Sequence, residues 1–313
     1  MPRRFVSLMY HNVVRDDDAG ARADAAGLGR SITSYFVGAT AFAQQLDAIA
    51  ATADVLSYAN LRPFFDKATD APAARPLVQL TFDDGWRGTV DVAGPLLAER
   101  GLQAMLFVTT GLIGAPRFLA AAELSQLPRE TFHLGSHTVT HRFLNELPDA
   151  EIRDELRQSR HELEDIAGYE VDTLSIPNGA CDQRVVKIAA ECGYRYVFRS
   201  DVHANSPRTG PLNIGRAAIR ATTRLETVAR YLQGDLRRER LRSTLLSLPK
   251  RTLGPHRYRQ LRQLLLGQVR TEHEMCDLVR SAVQAAPPAM SHGVYPRGTS
   301  HPTAFGPATR LSQ

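Results

Sequence analysis

The 313-residue chain predicts an α/β fold, a barrel in preference to an open sheet, and three observations carry the prediction. Short β-rich apolar runs recur between residues 4 and 219. Several are apolar on successive positions, as strands buried on both faces of a parallel sheet must be. Helical patterns fill many of the intervals, and strand–helix alternation at this strand count suits closure.

In chain order the predicted strands are "RFVSLMY" (4–10), "DVLSY" (54–58), "LVQLTF" (77–82), "AMLFVT" (104–109), "TFHLG" (131–135), "TLSIP" (173–177), "RYVFRS" (195–200) and "LNIGRAAI" (212–219). Helices are predicted over "TAFAQQLDAIAA" (40–51), which opens on a threonine cap, and over 148–168 and 182–193, which end at Gly168 and Gly193. Residues 1–223 form the predicted barrel domain.

Beyond residue 223 the texture changes. Residues 224–280 hold 13 Lys+Arg against 6 Asp+Glu, while residues 1–223 are net acidic at −4. Leu225, Val228, Leu232 and Leu236 make one helical stripe ringed by arginine, and "YRQLRQLLLGQVR" predicts a second helix. Residues 281–313 are rich in Pro, Gly, Ser and Thr, and read as a disordered tail. Such basic amphipathic helices suit either packing on the barrel or peripheral contact with an anionic membrane. Nucleic-acid binding is not expected, because the arginines lack interleaved aromatics.

Composition is that of a soluble globular protein, 43% hydrophobic and 23% charged. Cys181, Cys192 and Cys276 are scattered and odd in number, which argues against a disulfide framework and for a reducing compartment. The first residues lack a signal-peptide core, and no run approaches the roughly 20 apolar residues of a membrane span. A cytoplasmic protein is therefore expected. No GxGxxG or GxxxxGK[ST] loop occurs, which weakens nucleotide binding.

Two motifs carry chemistry. "LTFDDGWRGT" (80–89) ends an apolar strand with Asp83 and Asp84 side by side, although adjacent carboxylates raise each other's cost of ionisation. An Asp-Gly turn would explain it alone. "GSHTVTH" (135–141) also follows a strand, and its His137 and His141 stand four apart, on one face if the segment is helical. Two imidazoles and one carboxylate make the ligand set of an open catalytic metal site, and both motifs fall where barrel enzymes build their sites.

These motifs resemble those of the polysaccharide deacetylases, the NodB-homology or carbohydrate esterase family 4 proteins. "TFDDG" (81–85) is similar to their first motif, "SHTVTH" (136–141) to their second, "LSIPNGACD" (174–182) to their third, and "MYHNV" (9–13) to the first strand of many members. The resemblance spans residues 4–220 and implies a distorted (β/α) barrel of about seven strands. It implies Asp83 as general base, and Asp84, His137 and His141 as ligands of a divalent transition metal, zinc above others. It also implies release of acetyl groups, N-linked above all, from a saccharide.

A cytoplasmic location points to a lipid-linked or precursor glycan, as in exopolysaccharide biosynthesis. Pro177 and Asn178 of the third motif are candidate substrate contacts, as is His11 at the end of the first strand. Trp86 reads either as a wall on which a sugar stacks or as a packed core residue, and His133 as a core histidine.

Two departures stand out. The arginine that opens the family's third motif is replaced by Ser175, and Arg216 on a late strand is the candidate to orient the base instead. No copy of the family's Leu-x-His motif is present, and His203 is the candidate general acid. Those gaps leave room for two other readings: an amidase or deformylase acting on a different amide, or a catalytically weak carbohydrate-binding barrel.

Overall fold

A computed structural model describes residues 3–17, 26–66, 74–242 and 275–285. Ten strands are present among the described residues: β1 (Phe5–Tyr10), β2 (Asn12–Val14), β3 (Phe36–Gly38), β4 (Asp54–Val55), β5 (Leu77–Phe82), β6 (Ala104–Val108), β7 (Phe132–Ser136), β8 (Thr173–Ser175), β9 (Tyr196–Phe198) and β10 (Arg216–Ala218). Seven of them run parallel in the order β10-β1-β5-β6-β7-β8-β9. β4 adds two residues beside the start of β5, and β2 and β3 form a separate pair. Phe198 bridges to Ile214, two residues before β10, so the sheet nearly closes on itself. The predicted barrel and its seven-strand count are therefore observed.

Pleating divides the apolar residues between two cores. Val78, Leu80 and Phe82 of β5 point outward into one cluster with Phe42, Leu46 and Ile49 of α1 (Ala39–Thr52). Leu77 instead points inward, in a cluster with Met105, Phe107 and Phe198. Gly135 makes room for this interior. A Cβ there would sit 2.4 Å from Thr173 Oγ1 and 2.6 Å from the Phe107 ring. The upper interior is polar, holding Ser7, Gln79, Thr81, Ser175 and Arg216, all buried.

Helices α2 (Asp149–Ala167) and α3 (Gln183–Glu191) lie where the sequence places them, α2 ending at Gly168 with a left-handed φ of 70°. The basic stripe is shorter than predicted. α4 (Leu225–Leu232) packs on α1, but Gly234 adopts φ 76° and ends the run, and Leu225 is exposed. The helix predicted at 258–270 lies outside the described residues. α5 (Met275–Ala285) crosses the boundary drawn at residue 280, and it buries Met275 and Val279 against Trp86, Leu112 and Phe118. No helix of the described residues is long and apolar enough to cross a membrane.

Candidate active site

The C-terminal ends of β5, β7 and β8, with the first residue of β10, bring Asp83, Asp84, His137, Ser175 and Arg216 together. Asp83 and Asp84 follow β5 directly and are both buried, yet their surroundings differ. Arg216 grips Asp83 through two hydrogen bonds, Nη1 to Oδ1 at 2.7 Å and Nη2 to Oδ2 at 2.8 Å. Ser175 Oγ accepts from Arg216 Nη2 at 2.8 Å and donates to Asp83 Oδ2 at 3.2 Å. Burial alone would raise the Asp83 pKa. The Arg216 guanidinium, by its charge and its hydrogen bonds, together with His137 and His11 outweighs that cost and holds the carboxyl well below the usual carboxylate range.

Asp84 has the opposite environment. Burial and the charge of Asp83 push it up to about 7, against a donor hydrogen bond from Trp86 Nε1 to Oδ2 at 2.9 Å. Its other oxygen, Oδ1, is buried with no hydrogen-bond partner among the described residues. His137 Nε2 and His141 Nε2 each lie 3.5 Å from it. Burial lowers the pKa of both histidines, so their rings are neutral and offer lone pairs. His137 Nδ1 lies 2.8 Å from the Ser175 carbonyl and donates to it, leaving Nε2 for a ligand. The three candidate ligand atoms lie within 4.8 Å of one another. An orphaned carboxylate oxygen facing two neutral nitrogens fits a divalent transition metal such as zinc.

The ligand turn is not the helix that the four-residue spacing suggests. After β7 the chain makes an irregular turn in which Thr138 and His141 have φ of 66° and 56°. Glu155 of α2 braces it, accepting from the backbone N–H groups of Val139 and Thr140 at 2.9 Å each and from the Thr140 hydroxyl. Asp84, with φ 77°, is held in the same left-handed region. Such strain persists only where neighbours over-determine it, and it gathers here at the residues that face one another. Gly85, φ 90°, lets the turn pass Val108 closely.

Two candidates need correction or relocation. Trp86 is 1% exposed, packed between Phe118 and Phe36, and offers no open wall for a sugar. Its indole supports a ligand carboxylate instead. His203 does not reach the site. After Asp201 the chain turns back and Asn205 pairs with Phe5, at the opposite end of β1 from His11, roughly 20 Å of strand away. His203 Nε2 lies 3.2 Å from the Asn213 carbonyl there.

His11 lies nearer the chemistry. It is half-buried, feels the charges of Asp83, Arg216 and His137, and burial lowers its pKa to about 4. Pro177 is buried just beyond β8, while Asn178 is exposed with φ 55°. His133 stacks on Tyr58 at 3.5 Å, away from the ligand cluster. Sequence reasoning missed Ser175 and Glu155 as participants. Ser175 was visible only as a missing arginine, and Glu155 only as one of many helix carboxylates.

Residues 70–197 match the polysaccharide deacetylase family. YxkH of Bacillus subtilis (strain 168), which is named for that family, is 24% identical over 150 residues, 48% of this chain. The match spans about half of YxkH, 54% of its length. Among solved structures, the Streptococcus pyogenes deacetylase PplD in complex with acetate superposes with a TM-score of 0.63 at 23% identity, over 75% of this chain and 99% of its own. IcaB from Ammonifex degensii gives 0.61 at 20% identity, over 74% and 100%. A de-N-acetylase from Aggregatibacter actinomycetemcomitans gives 0.60 at 16% identity, over 73% and 99%. At these identities the structures share the fold.

Proposed function

We propose, from the match of residues 70–197 to the polysaccharide deacetylase family and from the site's geometry, that the chain is a metal-dependent hydrolase that removes N-linked acetyl groups from a saccharide. One observation carries the reading: two adjacent buried carboxylates are set to opposite tasks. Asp83 is pinned by Arg216, while Asp84 turns a free oxygen toward His137 and His141. A carbohydrate-binding barrel has no need of such a division. One structural neighbour is itself a de-N-acetylase, which supports the N-acetyl reading.

Asp84, His137 and His141 would hold the metal, zinc foremost. When bound, it supplies a Lewis acid for the acetyl carbonyl and brings the pKa of water toward neutrality. Asp83 remains ionised and accepts the proton of the attacking water, its carboxylate aimed by Arg216 and Ser175. His11, in place of His203, passes on to the leaving nitrogen the proton that Asp83 has taken up, since it follows Tyr10, whose carbonyl accepts from the Asp83 N–H, and its half-buried ring feels the Asp83 charge. Asn178, exposed beyond β8, meets the sugar. We place the substrate among glycans under assembly, including lipid-linked precursors, in the cytoplasm.

The deciding experiment measures acetate release from N-acetylglucosamine oligomers, with metal stripped and then zinc or cobalt restored. Metal-dependent release is expected. Protein that holds one metal per chain, releases no acetate from these oligomers and instead hydrolyses N-formyl or other N-acyl substrates offered beside them would replace the deacetylase reading with the amidase one.

A further inference from the structure

Arg220 lies two residues beyond β10, at the same end of the barrel as Asp83 and His137. Its place is set by the backbone: Ile219 N–H donates to the Met9 carbonyl, and Ala221 N–H donates to the Ser34 carbonyl. The guanidinium lies over the Tyr35 ring, 4.6 Å from its centroid, and the Tyr35 ring packs on His11 at 4.4 Å. The charge of Arg220 reaches His11, which also feels Asp83 and His137. Ring contacts thus run outward from His11 through Tyr35 to Arg220, and the Asp83 N–H bonds the Tyr10 carbonyl beside His11.

The other half-buried arginines after the site strands and motifs are engaged. Arg87 pairs with Glu123, Arg142 with Glu151 at 2.7 Å, and Arg199 with Asp201 at 2.8 Å. Arg216, fully buried, is bound to Asp83. Arg220 meets no carboxylate among the described residues, although it too is half-buried. A partly desolvated guanidinium fixed over an aromatic ring keeps its planar donor fork open to an oxyanion.

We infer that Arg220, held over Tyr35, is a subsite for an anionic group on the substrate, next to the sugar that loses its acetyl. The inference rests on the deacetylase reading of the site and narrows its substrate class. An acetylated saccharide bearing a carboxylate or a phosphate near the reacting residue is preferred. Partly deacetylated, cationic glucosamine chains are disfavoured, because their ammonium groups would face Arg220. A uronate in the neighbouring sugar and a phosphate linker offer the same oxyanion chemistry.

The test uses the full metal-loaded chain and three probes of equal length. These are a neutral N-acetylglucosamine oligomer, an oligomer alternating N-acetylglucosamine with uronate, and an N-acetylglucosamine oligomer ending in a phosphodiester. Binding is measured by calorimetry and turnover by acetate release. One acidic probe is expected to bind at least tenfold more tightly than the neutral one, and which one it is identifies the anion. Arg220→Met, which keeps packing on Tyr35, should erase that difference through KM with kcat retained. Arg220→Lys should keep part of it.

Equal binding of all three probes, or an equal loss on every probe in Arg220→Met, overturns the subsite. Preferential binding of an acidic probe without acetate release would leave the subsite standing and remove the catalytic reading beneath it.

Discussion

Arg216 and Asp83, 133 positions apart, share two parallel hydrogen bonds inside the barrel, with the Ser175 hydroxyl bonded to both partners. The arginine that fixes the base thereby comes from β10, across β1, while the strand that carries the third motif contributes the Ser175 hydroxyl. A buried pair of this kind is costly to break from one side, because the remaining charge is stranded. Arg216→Met should lower acetate release by 10- to 100-fold, on the order of other supporting-residue losses, and cost about 3–5 kcal/mol in stability. Thermal melts and steady-state turnover check the two effects separately. Asp83→Asn, which keeps the shape of the side chain, should retain metal and lose most activity.

Trp86 predicts an effect on metal affinity without one on fold. Phenylalanine preserves the packing on Phe118 and Phe36 but removes the Nε1–H that holds Asp84 Oδ2. Trp86→Phe should therefore bind zinc about 10- to 100-fold more weakly in a chelator competition. His137→Ala should lose stoichiometric metal altogether. Full occupancy in the histidine variant would remove it from the ligand set.

The raised pKa of Asp84 sets a pH signature for the metal-free protein. Its folded value, about 7, stands above the ordinary value of 3.8, so the folded state holds its proton more tightly than the unfolded one. That contribution is full below the unfolded pKa and declines as pH rises, vanishing above about 7. Metal binding requires the ionised carboxylate and reverses the preference. Added zinc should accordingly raise Tm more at pH 8 than at pH 5, and its uptake near pH 6 should release protons. A zinc shift independent of pH would contradict this assignment.

His11 and His203 make opposite predictions. His11→Ala should reduce turnover by roughly 10²–10⁴-fold with metal retained, the usual range for a lost acid–base group. His203→Ala should leave turnover unchanged and at most lower the melting temperature, through lost packing on Gly215.

Gly135 carries a stability prediction. Gly135→Ala would drive a methyl group into Thr173 Oγ1 and Phe107, and overpacking of this kind costs about 1–3 kcal/mol. Denaturant unfolding would read it directly.

The barrel was legible because strands buried on both faces leave uninterrupted apolar runs, as in β5 and β6. Asp83, Asp84, His137 and His141 were legible because each lies at a strand end within a compact motif. What was hidden depended on chain reversal. Nothing local in "SDVHANSP" shows that Asn205 returns to Phe5 and carries His203 to the wrong end of the barrel. The four-residue histidine spacing suggested a helix, whereas Glu155, from a helix later in the chain, stabilises a turn with two left-handed residues. Trp86 could be read as a sugar wall or as a packed core residue, because α5, which covers it, begins almost 190 positions later.

That last helix bears on where the working unit ends. Cys276 Sγ lies 3.2 Å from the His141 carbonyl, and Val279 fills the space beside Gly111. A chain shortened to the stretch from the first motif to the third would keep the base and all three ligand side chains. It would lack Arg216 and His11, and it would uncover the indole behind Asp84. Any attempt to transplant this centre, or to trim it for crystallisation, must carry β1 and α5 along, because both are part of its wall.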